Sequence, residues 1–132
     1  MRRFRIFKFL NLAFLISCFI PLSFVQAQGL DVEIIERADA DFDTCSLGQV
    51  TGLKVNGDGF LAVRSGPSSK FQKIDELYNG NKVWLFEERK GWYGVVYGVD
   101  ELSCSPIKKS RPLRKKGKKG WIYGKFVKVI AG

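Results

Sequence analysis

The chain has 132 residues, with 22 Lys and Arg against 13 Asp and Glu, and its formal charge is +9. This length allows one domain. The chain contains no histidine, which excludes Ser-His and Cys-His catalytic arrangements and the common zinc sites.

The first 27 residues have the features of a secretory signal peptide. An apolar run over residues 9–24 is followed by Val25-Gln26-Ala27, the small-residue pattern that a signal peptidase recognises. The run is preceded by four basic residues, which are Arg2, Arg3, Arg5 and Lys8. We therefore expect cleavage after Ala27 and export to the periplasm or the extracellular space.

Two other fates of this segment are considered. A retained membrane anchor is disfavoured because Asn11 and Pro21 interrupt the apolar run. Lipidation at Cys18 is suggested by the sequence Leu-Ile-Ser-Cys, although the residues after Cys18 stay apolar where a lipoprotein normally becomes polar. With the segment cleaved, no transmembrane domain is expected.

Removing these residues lowers the formal charge to +5, and the remaining charge is unevenly distributed. Residues 28–44 carry six acids and one base. A stretch this acidic and this poor in aromatic residues is interpreted as a solvated linker, or as an arm that lies on a basic surface. We call residues 28–44 the acidic arm.

Two cysteines remain after cleavage, Cys45 and Cys104. In an oxidising compartment such an even pair predicts a disulfide. A bond that closes the loop between residues 45 and 104 would stabilise the fold by about 4 kcal/mol in the chain-entropy model.

From residue 45 onward, short segments rich in Val, Phe, Tyr and Trp alternate with glycine-containing turns, as in a small all-β domain. The predicted strands lie at residues 48–55, 60–64, 71–77, 82–88, 92–98 and 120–130, the third being ambiguous and the last containing a helical turn near 124–127. Leu61 and Val63 are predicted to face the barrel interior, and Val83 and Leu85 are predicted to share one face of their strand, opposite Trp84 and Phe86. Five or six such strands suggest a closed barrel filled by side chains, without a cofactor pocket.

Several motifs in this region resemble the bacterial SH3-like (SH3b) domain family. They occur in the family's order at Leu61, Val63, Arg64, Gly66, Pro67, Ile74, Gly80, Val83, Gly91, Trp92, Gly120, Trp121 and Ile122. The resemblance implies an SH3-like barrel of five to six strands over residues 45–132. The long basic insert at 98–120, before the last strand, departs from the family pattern. It also implies a non-enzymatic binding module of the bacterial envelope, whose ligand is peptidoglycan or its peptide stems.

Aromatic side chains are the candidate ligand contacts, because they offer apolar area with polar tips. The candidates are Trp84, Trp92, Tyr93, Tyr97, Trp121 and Tyr123, together with Arg64. At least half of these rings are expected to serve as core or half-buried scaffold, because a small barrel needs large residues. For Arg64 we favour a structural brace, since it belongs to the fold signature.

The basic insert is the most individual feature of the sequence. Between residues 108 and 119 it carries Lys108, Lys109, Arg111, Arg114, Lys115, Lys116, Lys118 and Lys119, without an acid. The simplest interpretation is a solvated loop tethered at Cys104. The alternatives are attraction to anionic lipids or wall polymers, binding of an acidic protein, or coverage by the acidic arm. Nucleic acid fits the charge but not the expected export.

The sequence predicts no catalytic, cofactor or metal site. Ser65, Ser68 and Ser69 lack a nucleophile elbow and an identifiable base. The acid pairs Asp75-Glu76 and Glu87-Glu88 are interpreted as solvated surface. The leading hypothesis is thus an exported binding module, and the alternative is a periplasmic protein–protein module, an inhibitor or assembly accessory that uses the basic insert.

Overall fold

The computed structural model describes residues 29–57 and 59–132. The predicted signal peptide lies outside the described residues, as does Asp58, which lies between the predicted strands at 48–55 and 60–64. Within the described part the chain forms nine strands: β1 Ile35–Glu36, β2 Ser46–Val50, β3 Leu61–Arg64, β4 Lys73–Leu77, β5 Lys82–Arg89, β6 Trp92–Tyr97, β7 Arg111–Pro112, β8 Lys118–Tyr123 and β9 Val127–Ala131.

Seven of these strands form one antiparallel sheet in the order β4-β3-β8-β6-β5-β2-β9. The predicted all-β class and SH3-like barrel are confirmed. The segment that was ambiguous in the sequence forms β4, which pairs with β3. The predicted helical turn is a 3-10 helix, Gly124–Phe126, which separates β8 from β9. This break lets β8 pair with β6 and β9 with β2.

The inner core lies inside the barrel and follows the predicted alternation. Its buried members are Val50, Leu61, Val63, Leu77, Val83, Leu85, Val95, Tyr97 and Ile122. Successive side chains of a strand point to opposite faces. Leu61 and Val63 of β3 therefore face the interior, as predicted, and they meet Val83 and Leu85 of β5 there.

An outer core lies on the opposite face of β5, β6 and β8. It contains Phe86, Val96 and Trp121 from these strands, Ile34 from the arm, Leu113 from the insert, and Cys45. The indole Nε1 of Trp121 donates a hydrogen bond of 2.9 Å to the carbonyl of Val32. Both faces of the central strands are therefore covered by apolar side chains.

The described part of the acidic arm packs on the barrel and pairs with the basic insert. Strand β1 of the arm is antiparallel to β7 of the insert. The backbone N–H of Leu113 donates to the carbonyl of Ile34 at 2.9 Å. Leu113 is buried, so the insert is anchored by its own apolar side chain. This differs from the simplest expectation of a solvated loop, because the arm supplies both backbone and apolar partners.

The disulfide between Cys45 and Cys104 is present, as predicted, with its Cα atoms 4.9 Å apart. It joins the residue that follows the arm to the middle of the insert. Thr44 strengthens the same junction, because its N–H donates to the carbonyl of Cys104 at 2.7 Å. The arm and the insert are thus connected covalently and by hydrogen bonds.

Candidate ligand-binding surface

Two of the candidate aromatic residues are core residues. Trp121 is 0% exposed and Tyr97 is 6% exposed. Trp121 belongs to the outer core and Tyr97 to the inner core. The proposed ligand contacts at Trp121 and Tyr97 are therefore corrected: their rings lie between packed layers and cannot form a surface.

Tyr97 illustrates how such a ring is held. Its hydroxyl donates a hydrogen bond of 3.0 Å to Asp75. Burial and this carboxylate both raise the pKa of Tyr97. The N–H of Glu76 is the main cause that lowers the pKa of Asp75, and the Tyr97 hydroxyl and Lys118 contribute. Asp75 therefore fixes the edge of the barrel rather than acting as free surface.

Trp84 and Tyr93 occupy an intermediate position. Trp84 packs against the outer core and Tyr93 against the inner core, and each is half-buried. Most of their area serves the scaffold, which agrees with the expectation that at least half of the rings are structural.

Three aromatic residues form a row on the remaining surface, in which Tyr123 is exposed and Trp92 and Phe126 are half-buried. Trp92 and Tyr123 face each other across β6 and β8, with ring centroids 5.5 Å apart. Phe126 follows in an edge-on arrangement, 6.3 Å from Tyr123. Tyr123 is 42% exposed. We call these residues the aromatic row.

Local backbone geometry positions the row. The hairpin between β5 and β6 turns at Lys90 and Gly91, both with positive φ, at 48° and 86°. Such a turn matches the twist of antiparallel strands, and it places Trp92 opposite Tyr123. Phe126 was not among the predicted contacts. The sequence feature that could have indicated Phe126 is the predicted helical turn near residues 124–127. This turn interrupts the alternation of the strand and directs Phe126 toward the row.

A cleft of about 440 Å³ begins at Phe126. Its apolar lining comes from Leu53, Phe60 and Phe126, and two lysines, Lys54 and Lys125, line the same cleft. Asn79 holds the wall in place, because its side chain accepts from the N–H of Leu53 and donates to its carbonyl. An apolar cleft bordered by ammonium groups suits an extended chain that carries a carboxylate.

Arg64 lies apart from this cleft and contacts its own loop. It is half-buried, and its guanidinium donates to the carbonyl of Phe71 at 3.0 Å. The ring of Phe71 in turn packs over Gly66, where it leaves no room for a Cβ atom. Arg64 therefore closes the Ser-Gly-Pro loop, which is the contact that a structural brace makes.

The basic insert divides its charges between the protein and the solvent. Arg111 and Lys115 form ion pairs with Glu36 at 2.9 and 3.4 Å, and Arg114 lies 3.9 Å from Glu33. Lys118 lies 3.5 Å from Asp75. Within residues 29–57 and 59–132, Lys108, Lys109, Lys116 and Lys119 make no ion pair.

Glu36 is the centre of the contact between arm and insert. It is 1% exposed. Burial by itself would raise the pKa of its carboxyl group, but the Arg111 hydrogen bond, the charges of Lys115 and Arg111 and the Thr44 hydroxyl outweigh burial and lower the pKa. Glu36 therefore stays ionised and holds the insert through two side chains, Arg111 and Lys115.

Glu87 corrects the interpretation of Glu87-Glu88 as solvated surface. Its side chain is fully buried and pairs with Arg37 and Arg89 at 2.9 Å. It also accepts from the N–H of Ile35 at 2.8 Å. The register of β5 against β6 shifts between Leu85 and Glu87. This irregularity breaks the alternation and directs Glu87 toward the arm, whereas Glu88 stays exposed.

Neither a metal site nor a membrane-spanning helix occurs in the described residues. No group of three or more Cys, Asp or Glu side chains there is arranged to hold a metal ion. No helix in the same residues is long and apolar enough to cross a membrane. Of the three serines near glycine, Ser65 is buried and its hydroxyl donates to Asp31.

Comparison with known proteins identifies the family of the barrel. The model of the bacterial SH3 domain matches residues 59–128. Neither a curated protein nor a solved structure shows significant similarity to the chain. The match begins just before β3 and ends within β9, so it spans the hairpins, the insert and the 3-10 helix. The chain belongs to the bacterial SH3 domain family.

Proposed function

We propose that this protein is an exported, non-enzymatic binding module that holds peptidoglycan or its peptide stems on the aromatic row and the adjoining cleft. Bacterial SH3 domains are in general binding modules. The observation that carries the proposal is the aromatic row, in which exposed Tyr123 lies between half-buried Trp92 and Phe126, and which continues into a cleft lined by two lysines.

The chemistry of this surface supports a peptide or glycan ligand. Flat rings that already pack on one another lose little conformational freedom on binding, and they offer apolar area to sugar rings or extended peptide. Lys54 and Lys125 line the cleft that adjoins the aromatic row. Their ammonium groups can pair with the carboxylates of a short peptide.

Export is the second part of the proposal. It is supported by the basic, apolar and small-residue order of residues 1–27 and by the Cys45–Cys104 disulfide. Disulfides persist in oxidising compartments. The measurement is the intact mass of the protein recovered from the cell envelope. An intact mass that corresponds to a chain beginning at Gln28 supports export. A protein that is found in the cytoplasm with the mass of the full chain, residues 1–132, contradicts it.

The binding test is sedimentation with purified peptidoglycan. Tyr123→Ala should weaken binding by at least about tenfold, because a central aromatic contact often contributes that much. The matched control is Tyr78→Ala, which removes a tyrosine of similar exposure, 52% against 42%, from another part of the surface. Tyr78 lies at the end of β4, outside the row and the cleft.

Three results decide the proposal. Loss of sedimentation in the Tyr123 variant with retention in the Tyr78 variant supports it. Equal behaviour of the two variants contradicts the assignment of the surface. Failure of the unaltered protein to sediment with peptidoglycan contradicts the proposed ligand.

A further inference from the structure

We propose that two copies of this chain exchange their acidic arms, so that the arm of each copy lies on the barrel of the other and the two copies form a dimer. Exchange of an identical element is a low-cost route to a dimer, because the element keeps its contacts. The segment that changes conformation is residues 39–43, which we call the hinge. The dimer does not depend on the ligand of the aromatic row.

The first argument is that the arm binds residues far from it in the sequence. The N–H of Val32 donates to the carbonyl of Ser65 at 3.1 Å, and the indole of Trp121 donates to the carbonyl of Val32 at 2.9 Å. Glu36 forms an ion pair with Arg111 at 2.9 Å. Because these partners belong to the barrel and the insert, a second copy offers the same contacts to the arm.

The second argument is that the hinge is an exposed loop between two fixed points. All residues of the hinge are exposed. Glu36 before the hinge and Thr44 after it are buried, and the Thr44 hydroxyl donates to the Glu36 carboxylate at 3.2 Å. Inside the hinge, the N–H of Phe42 donates to the carbonyl of Asp39 at 2.9 Å. Opening the hinge therefore breaks this turn without exposing a buried side chain of the hinge.

The third argument is that the closed hinge is strained. Ala40 has a φ of 46°, in the left-handed region that residues with a Cβ atom rarely adopt. Asp39, Asp41 and Asp43 bring three carboxylates into one short turn, and none of them forms an ion pair with another described residue. Like charges held close together repel each other. Exchange extends the hinge while the arm keeps its contacts, and it thereby relieves both effects.

The fourth argument is the exposed aromatic ring of the hinge. Phe42 is 71% exposed, and it borders an open cleft of about 380 Å³. The apolar lining of this cleft includes Leu85, Phe86 and Tyr93. In the exchanged dimer the two hinges run past each other, which brings the Phe42 ring of one copy to the hinge and cleft of the other. Burial of this ring adds an apolar contact that the monomer lacks.

The chain between the two fixed points is long enough to reach a second barrel. Residues 37–43 span at most about 25 Å when they are extended. In a two-fold dimer, Glu36 of one copy lies at Thr44 of the other, so the two Thr44 residues must lie within that distance. Two barrels that touch at their hinges meet this condition, because the hinge lies between these residues.

The exchanged dimer would carry two aromatic rows. Two linked sites bind a polymer with repeated ligands more tightly than one site does, because the second contact is intramolecular. This consequence rests on the proposed function, whereas the dimer does not. Both tests use the protein without a ligand, so failure of the dimer would leave the proposed function standing.

The first test measures dimerisation by sedimentation velocity over a wide range of protein concentrations, after incubation long enough for the two forms to equilibrate. Ala40→Gly relieves the strain of the closed hinge, because glycine adopts a positive φ readily. The matched control is Lys90→Gly, at a second non-glycine residue with positive φ, 48°, in the hairpin between β5 and β6. The control makes the same kind of change away from the hinge.

We expect the unaltered protein to dimerise as its concentration rises. Ala40→Gly should weaken dimerisation by at least about tenfold, because strain in two hinges no longer favours the open form. Lys90→Gly should leave dimerisation unchanged. A protein that stays monomeric at every concentration overturns the proposal, as does an Ala40→Gly variant that dimerises no less than the Lys90→Gly variant.

The second test shows whether the copies exchange their arms. The N–H of Ala38 in the arm donates to the Ser110 hydroxyl of the insert at 2.9 Å, so Ala38→Cys with Ser110→Cys places two thiols side by side. The double variant is oxidised at a concentration at which the unaltered protein is dimeric, and the new disulfide is mapped in the dimer fraction. A bond between two chains supports exchange. A bond within one chain overturns it, because each arm then lies on its own barrel. The first test does not depend on these cysteines.

Discussion

The inner and outer cores of this protein are built in different ways. The inner core is formed by strands of the barrel, in which inward and outward side chains alternate. The outer core joins Trp121 and Phe86 of the barrel to Ile34 of the arm and Leu113 of the insert. The first core follows from local patterns, whereas the second needs segments far apart in the sequence.

The difference shows how a small barrel can gain stability. A short chain buries a limited share of its surface in one core. Here the outer face of the central strands, which would otherwise face water, is covered by the arm. The matched family region, 59–128, contains the inner core except Val50, but it does not include Ile34 or Cys45. The arm therefore extends the domain beyond the family pattern.

The largest expected effect comes from removing the disulfide. Cys45→Ala with Cys104→Ala should lower the free energy of unfolding by about 4 kcal/mol, because the bond closes a long loop over a sequence separation of 59. Urea unfolding measures this loss. As a control, a reducing agent should lower the midpoint of the unaltered protein and leave that of the variant unchanged. An unchanged midpoint in the variant would show that the bond contributes nothing to the outer core.

The next effect concerns the apolar contact of the arm. Ile34→Ala should lower the free energy of unfolding by about 3 kcal/mol, because Ile34 is buried against Trp121 and its neighbours. Leu85→Ala is the matched change in the inner core. Hydrogen exchange should distinguish the two variants. Backbone amides of the Ile34→Ala variant should exchange faster in the arm and around β7, whereas those of the Leu85→Ala variant should exchange faster across the barrel. Identical exchange patterns would mean that the two cores unfold as one unit.

A close approach between Gly94 and the arm gives the third effect. A Cβ atom at Gly94 would lie 2.8 Å from a methyl group of Ile34. Gly94→Ala should therefore cost about 2 kcal/mol through overpacking. Ile34→Ala removes the nearest atoms, so in that background Gly94→Ala should cost much less. If the losses in the free energy of unfolding caused by Gly94→Ala and Ile34→Ala were additive in the double variant, a direct contact between the two residues would be contradicted.

The barrel could be predicted from the sequence because its signals are local. Alternation placed Leu61 and Val63 inside and grouped Val83 with Leu85 on one strand face, and the glycine turns located the hairpins. The outer core was not predicted, because nothing near Trp121 in the sequence indicates that Val32 accepts its indole N–H. Buried Glu87 was missed for the same reason: a shift in strand register decides its direction, and alternation cannot show that shift. In the candidate site, the sequence singled out Trp92 and Tyr123, of which Tyr123 is exposed and Trp92 half-buried, whereas Phe126 was found only through the 3-10 helix.

The smallest effect tests the polar contact between arm and insert. Glu36→Gln should lower the free energy of unfolding at neutral pH by about 1.5 kcal/mol, because the amide loses the charge that Arg111 and Lys115 bind. The folded-state pKa of Glu36 lies below its ordinary value of 4.5. Its ionised form therefore adds stability above that pH, and the addition is lost as the pH falls through the folded-state pKa. The difference in the free energy of unfolding between the Glu36→Gln variant and the unaltered protein, measured in urea, should shrink in acid.

The control is Glu33→Gln, which removes an exposed carboxylate that lies 3.9 Å from Arg114. This change should lower the free energy of unfolding by less than about 0.5 kcal/mol. A Glu36 difference that does not change with pH would mean that the loss is steric, and that charge does not hold the arm to the insert.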